Sequence, residues 1–275
     1  MSISADKVIE LESKAKEIRI DIIKMLEKAG SGHTAGPLGM TDVFTTLYFH
    51  SLKHDSANPE WADRDRLILS NGHICPVLYA TMAHAGYIDL SVLDTLRTLG
   101  SPLQGHPHRE FLPALETSSG PLGSGLSQAV GMALADRIDN GRESSRAFFC
   151  LMGDGETDEG QIWEAAMLAA KHALGNLICI VDRNNIQIDG HTQDVMPLEP
   201  YRDKWESFGF HVLDIDGHNI EEIADAIDQA RAVFQKPTLI LAHTIASKGV
   251  SEWERHHEWH GKAPNAEEAA MALEE

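Results

Sequence analysis

The sequence predicts an α/β fold: a mostly parallel sheet with helices on both faces. Short continuous apolar runs alternate with longer segments whose apolar residues recur at three- and four-residue steps. Two of the runs, residues 147–152 and 177–181, flank a helix-like stretch at 161–174, which makes a strand–helix–strand unit. Glycine-rich or polar turns follow the runs, as at Gly153-Asp154-Gly155 and Asn184-Asn185. With 275 residues there is room for one large α/β domain or two small ones. No internal repeat or low-complexity linker divides the chain, so one domain is expected over 1–264, followed by an acidic helix or tail over 265–275.

The elements follow in order. Val8, Leu11, Ala15, Ile18, Ile22, Met25 and Leu26 mark a first helix, with Gly30 placed to cap it. A loop is expected over 31–37, where Gly32 and Gly36 permit unusual backbone angles, and a second helix over 39–50. Residues 67–69 read as a short strand ending in Ser70-Asn71-Gly72-His73, before a helix at 74–85. A glycine-rich turn, 120–125, opens a helix that runs to Ile138. The strand–helix–strand unit comes next, then a polar loop at 182–194. A helix at 220–234 lies between strand candidates at 211–215 and 238–243. Trp205, Phe208 and Phe210 read as core residues.

The formal net charge is −19. So acidic a chain argues against nucleic acid, which needs clustered Lys and Arg, and against an anionic membrane surface. No apolar run approaches the length of a transmembrane helix. The first residues lack the basic-then-apolar pattern of a signal peptide. Three scattered cysteines, two of them inside predicted buried strands, form no disulfide framework. Reduced thiols in the cytoplasm are the simplest expectation.

If the runs at 147–152 and 177–181 are neighbouring parallel strands, Asp154 and Asn184 leave the sheet at the same carboxyl edge, where open α/β sheets bind ligands. A carboxylate, an amide oxygen and a nearby backbone carbonyl form an incomplete shell of hard oxygens. It suits a magnesium ion completed by phosphate oxygens. Asp182 is a weaker ligand candidate. The turn 120–125 has two readings: backbone N–H groups facing a phosphate, or a tight helix entry packed on a strand. His33, His73, His106 and His260 each sit beside or near glycine in loops and can donate to phosphate or carry a proton near neutrality. The clusters His106/His108 and His256/His257/His260 raise zinc, but no cysteine lies near either. Glu159, five residues past Asp154, reads alone as a first-turn helix carboxylate.

Together these motifs resemble the thiamine-diphosphate enzymes, and most closely the N-terminal part of transketolase. The resemblance covers about Val8 to Pro264. It is carried by Ser31-Gly32-His33, Ser70-Asn71-Gly72-His73, Gly105-His106-Pro107, Gly120-Pro121-Leu122-Gly123, Gly153-Asp154-Gly155, the stretch from Asp182 to Gly190, and Trp259-His260-Gly261-Lys262-Ala263-Pro264. The resemblance implies one diphosphate-binding domain in which Asp154, Asn184 and the carbonyl of Ile186 hold Mg2+ (Ca2+ or Mn2+ as substitutes) against thiamine diphosphate. His73 and His260 would contact the cofactor, Gly155 and Glu156 would lie along its diphosphate, and Gly120, Pro121 and Leu122 would touch its aminopyrimidine. His33, His106 and His260 would line the substrate funnel. Glu159 would reach across an interface towards an activating glutamate on another domain.

That pyrimidine-binding domain and a third domain are missing from this chain. The resemblance therefore implies the N-terminal subunit of a two-chain transketolase, in an α2β2 heterotetramer with a C-terminal subunit. It would transfer a two-carbon ketol unit between sugars or sugar phosphates, pentose phosphates by default. Two other readings stay open: a piece of a deoxyxylulose-phosphate synthase or 2-oxo acid dehydrogenase, and a non-catalytic scaffold paralogue. One departure is Thr34-Ala35-Gly36-Pro37, where relatives often carry proline directly after the histidine.

Overall fold

The computed structural model describes residues 3–141 and 144–275. Helix α1 (Ala5–Ala29) starts at Ser4, whose hydroxyl accepts from the Lys7 N–H, and stops at Gly30 in a left-handed conformation (φ 62°). Its buried stripe contains Leu11, Ala15, Ile18, Ile22, Met25 and Leu26, as the periodicity predicts. The second helical segment differs from expectation. It begins earlier, as α2 (Ala35–Gly39), breaks at Met40, and resumes as α3 (Thr41–Thr46) with a π turn over Leu47–Ser51. Gly36-Pro37 resembles loop punctuation, yet proline fits the first turn of a helix, where its missing N–H has no partner to lose.

Strand β1 (Arg66–Leu69) leads through a short 3₁₀ turn into α4 (Cys75–His84). Helix α5 (Ser124–Asn140) precedes β2 (Phe148–Gly153), α6 (Gly160–Lys171) and β3 (Leu177–Arg183). The polar segment after β3 is a small hairpin rather than a plain loop. It pairs β4 (Ile186–Gln187) with β5 (Gly190–His191) and runs into the short α7 (Thr192–Val195). Helix α8 (Tyr201–Ser207), which the sequence reading lacks, buries Trp205. Then come β6 (His211–Asp216), α9 (Ile220–Arg231), β7 (Thr238–His243) and α10 (Ala266–Glu274).

The main sheet is parallel throughout, in the order β1-β2-β3-β7-β6. Alternation along β2 sends Phe149 and Leu151 into a core with α1, α3, α4 and α9. Phe148, Cys150 and Met152 enter a second core with α5, α6 and α8. Along β3, Ile178 and Ile180 join the first core, and Leu177, Cys179 and Val181 the second. Both faces are covered, which is why these strands read as unbroken apolar runs. Each fully buried Leu, Ile or Phe contributes about 1.5–3 kcal/mol of transfer free energy. Helix α10 carries a capping box between Asn265 and Glu268 and buries Ala269 and Ala272 in the first core, so it packs on the body of the fold. Cys75, Cys150 and Cys179 are buried free thiols. Among the described residues, no helix is long and apolar enough to cross a membrane.

Candidate functional site

Parallel pairing of β2 with β3 sets Gly153 beside Asp182. Asp154 follows directly, and its N–H donates to the Asp182 carbonyl at 3.2 Å. Asn184 is the first residue beyond β3. The two side chains therefore leave the sheet at one edge, on a cavity of about 240 Å3 that Ile186, Gly155, His73, His260 and Leu122 also line.

Asp154 is 2 % exposed. Its Oδ1 accepts from the Gly155 N–H at 2.8 Å, and its Oδ2 accepts from Arg183 Nη1 and from the Asn185 N–H, both at 2.9 Å. Burial pushes its pKa up, and the Arg183 guanidinium pulls it back. Asn185 takes a left-handed backbone (φ 65°), which turns its N–H onto Asp154. Gly155 sits so close to the Gln187 side chain that a Cβ there would lie 2.8 Å from it.

Asn184 is fixed by Asp182. Its Nδ2 donates to Asp182 Oδ2 at 2.8 Å, while its Oδ1 accepts from the Ile186 N–H at 3.1 Å. The other oxygen of Asp182 accepts from the Thr244 hydroxyl, beyond the end of β7. Burial pushes the Asp182 pKa up to about 7, with the Asp154 charge adding to the rise. Asp182, the weaker ligand candidate, is thus an orienting partner of Asn184.

Glu156 lines the same cavity and also ties the glycine turn to the end of β2. Its carboxylate is 3 % exposed and accepts from the Ser70 hydroxyl, the Gly123 N–H at 2.6 Å and the Gly153 N–H at 3.1 Å. Burial raises its pKa against these bonds. The Gly125 N–H goes to Ser70 Oγ at 3.1 Å, and a Cβ on Gly125 would meet Ser70 at 2.4 Å. Of the two readings of the turn 120–125, the close-packed helix entry is the one formed. Leu122 reaches the cavity, while Gly120 lies near the His106 ring and Pro121 is exposed.

Four histidine loops converge. The His33 and His73 rings lie 4.8 Å apart, His73 and His260 5.2 Å, and His33 and His260 5.6 Å. Burial pushes the His33 pKa down to about 4, helped by His260, His106 and Arg97, and lowers those of His73, His106 and His260 as well. The cluster is neutral at physiological pH, so each ring offers one N–H and one lone pair. His33 Nδ1 is buried without a hydrogen-bond partner. Thr34, directly after His33, donates to the Lys262 carbonyl at 2.6 Å and ties the His33 loop to the His260 loop. Glu159 stands apart: it is exposed at the start of α6 and makes no capping bond. Histidines 256 and 257 also stay outside the cluster, His257 lying against His191. Among the described residues, no three His, Cys, Asp or Glu side chains form a metal cluster.

The site thus joins three buried carboxylates, Asp154, Glu156 and Asp182, and one oriented amide to a wall of neutral imidazoles. Sequence reasoning missed Arg183, Thr244, Ser70 and Gln187 as supports. Their partners lie in distant segments, and no spacing rule links them.

Comparison with known proteins agrees with this architecture. The family described as "Transketolase, thiamine diphosphate binding domain" matches residues 11–275. The chain is 45 % identical over 247 residues to the 6-deoxy-6-sulfo-D-fructose transketolase subunit SqwG of Clostridium sp. (strain MSTE9), covering 90 % of this chain and 89 % of that one. It is 40 % identical over 269 residues to an apulose-4-phosphate transketolase subunit of Phocaeicola vulgatus, covering 98 % and 94 %. The crystal structure of transketolase from Campylobacter jejuni superposes with a TM-score of 0.89 at 39 % identity, covering 96 % of this chain but 42 % of that one. The chain belongs to the family of the transketolase thiamine diphosphate binding domain.

Proposed function

We propose that this chain is the N-terminal subunit of a two-chain transketolase, which moves a two-carbon ketol unit from a ketose to an aldose. The single observation that carries the reading is the convergence of Asp154, Asn184, His73 and His260 on one cavity at the carboxyl edge of the sheet, with His33 against both rings. Relatives of matching length are named transketolase subunits, whereas the chain spans well under half of the Campylobacter enzyme. Both support a partner chain; in this reading it carries the pyrimidine-binding domain, in an α2β2 assembly with Glu159 facing it. Three buried unpaired cysteines favour the cytoplasm.

The residues present fit a divalent ion. Asp154, Asn184 Oδ1 and the Ile186 carbonyl supply hard oxygens, which suit Mg2+, or Ca2+ and Mn2+ in its place, with phosphate oxygens completing the shell. Gly155 and Glu156 line the cavity and would lie along a diphosphate bound there, and His73 and the stretch from Gly120 to Leu122 would border the cofactor. Thiamine diphosphate, when bound, supplies the carbon chemistry. The chain supplies position and protons. Neutral His33, His106 and His260 can each take a proton from a sugar hydroxyl on one nitrogen or give one from the other. The relatives' names point to a ketose ending in a phosphate or a sulfonate.

Asp182 gives this reading a separate check. Asp182→Ala should weaken magnesium-dependent cofactor binding about ten- to a hundredfold, because the Asn184 amide loses the acceptor that orients it. Asp182→Asn should lose less, since its amide can still accept from Asn184 and donate to Thr244. Titration calorimetry with magnesium and thiamine diphosphate reads both variants. Equal losses would remove Asp182 from the orienting role.

The function itself is tested by mixing the chain with its candidate second subunit, magnesium and thiamine diphosphate. Ketol transfer supports the proposal. Pyruvate-dependent condensation or decarboxylation would indicate another thiamine enzyme, and silence with every partner would indicate a non-catalytic paralogue.

A further inference from the structure

Arg97 lies in the segment between the 3₁₀ turn at Leu90–Thr95 and the His106 loop. Its backbone is left-handed (φ 61°), a conformation a long side chain rarely adopts. Such outliers persist where the surroundings fix them, and they collect at binding sites. Here the surroundings do fix it. Leu96 and Leu103 are buried on either side, the Arg97 N–H donates to the Leu103 carbonyl at 2.8 Å, and Ser101 bonds to Thr95 and to the Leu103 N–H.

The guanidinium packs against Gly105. A Cβ on that glycine would stand 2.9 Å from Cζ and 3.0 Å from Nη1. Nη1 is also 4.0 Å from where a Cβ on Gly32 would be. Arg97 thus packs on Gly105, which precedes His106, and lies near Gly32, which precedes His33, and its positive charge helps keep both rings neutral. Two other cations beside the site segments are committed. Arg183 pairs with Asp154 and Glu199, and Lys262 pairs with Glu268 above the Trp259 ring. Among the described residues, the Arg97 guanidinium forms no ion pair and no hydrogen bond. Beside it, His33 Nδ1 is buried and unpartnered. A planar fork of donors next to an imidazole matches a tetrahedral oxyanion.

We propose that Arg97 binds the terminal oxyanion, phosphate or sulfonate, of the sugar whose hydroxyls meet His33 and His106. This inference rests on the ketol-transfer reading and deepens it. Through Arg97, recognition of the substrate's charged end falls partly to this polypeptide.

Two experiments test it. In the enzyme reconstituted with its second subunit, donors would be fructose 6-phosphate, 6-deoxy-6-sulfofructose and uncharged erythrulose. Arg97→Met keeps the stem and removes the charge. It should raise KM for a charged donor about ten- to a hundredfold, and affect erythrulose far less. Arg97→Lys should recover part of the loss. Whichever charged donor loses more identifies the oxyanion. Equal losses for all three donors would mean that Arg97 only braces the Gly105 loop, and no loss would also overturn the proposal.

The second experiment needs no partner. The isolated chain, loaded with magnesium and thiamine diphosphate, is titrated with inorganic phosphate while the His33 and His106 ring resonances are followed. A saturable shift that Arg97→Met abolishes supports the site. No shift, or identical titrations of the two proteins, overturns it. A wild-type enzyme silent with every donor would sink the ketol-transfer reading, while this titration would still decide the oxyanion site.

Discussion

Asp154→Ala should weaken magnesium-dependent binding of thiamine diphosphate by more than about a hundredfold, since even the outer partners of metal ligands are worth about ten- to a hundredfold. The change deletes the only carboxylate in the proposed oxygen shell. It has a second effect that must be separated from the first. Arg183 is nearly buried and donates to Asp154 Oδ2, so the variant leaves a largely desolvated cation with Glu199, Thr192 and the Tyr201 ring. Breaking a buried pair from one side costs about 3–5 kcal/mol. The exposure of Glu199 lets solvent offset part of that cost. Asn184→Ala is the companion variant. It removes a proposed ligand and leaves the Arg183–Asp154 pair intact, so it should lose cofactor affinity with a smaller fall in melting temperature than Asp154→Ala, the fall reflecting the buried Asp182 oxygen left without its Asn184 donor. Calorimetry and thermal unfolding on both proteins check this. Unchanged affinity in Asn184→Ala would show that the amide oxygen does not hold the ion.

His260→Ala should behave in the opposite way. It should lower kcat of the reconstituted enzyme about a hundredfold or more, within the range for a lost general acid or base, and change cofactor affinity much less. The ring stands at the end of a 3₁₀ turn (His257–Trp259) that Trp259 anchors by stacking on Trp253 at 3.9 Å between centroids. It meets His73 on one side and His33 on the other, and burial keeps it neutral. A ring so placed can exchange protons with a sugar oxygen but adds no charge to a diphosphate. Single-turnover rates and cofactor titrations separate the two roles. Normal turnover with lost binding would assign His260 to the cofactor instead.

Much of this arrangement is legible in the chain itself. Strands β2 and β3 show as unbroken apolar runs because helices bury both their faces, and the residues at their ends inherit the sheet edge. Hence Asp154 and Asn184 can be located from the sequence. Pairings between distant segments cannot. The Thr244–Asp182–Asn184 chain joins the ends of β7 and β3, and Glu156 bonds to Ser70 and Gly123, yet no local pattern announces either. Glycine and proline mislead at Gly36-Pro37, where the first turn of a helix tolerates both. Helix α8 is too short to show a period and is held by Trp205 in the second core. Arg97 is invisible to periodicity, because its place follows from a loop anchored by Leu96 and Leu103.

The most direct test is a crystal of this chain grown with thiamine diphosphate and Mn2+, with the metal located by its anomalous signal. The account predicts one peak coordinated by a carboxylate oxygen of Asp154, Oδ1 of Asn184 and the carbonyl of Ile186, with diphosphate oxygens completing the shell. A peak elsewhere, with Asp154 still held only by Arg183 and backbone N–H groups, would contradict it.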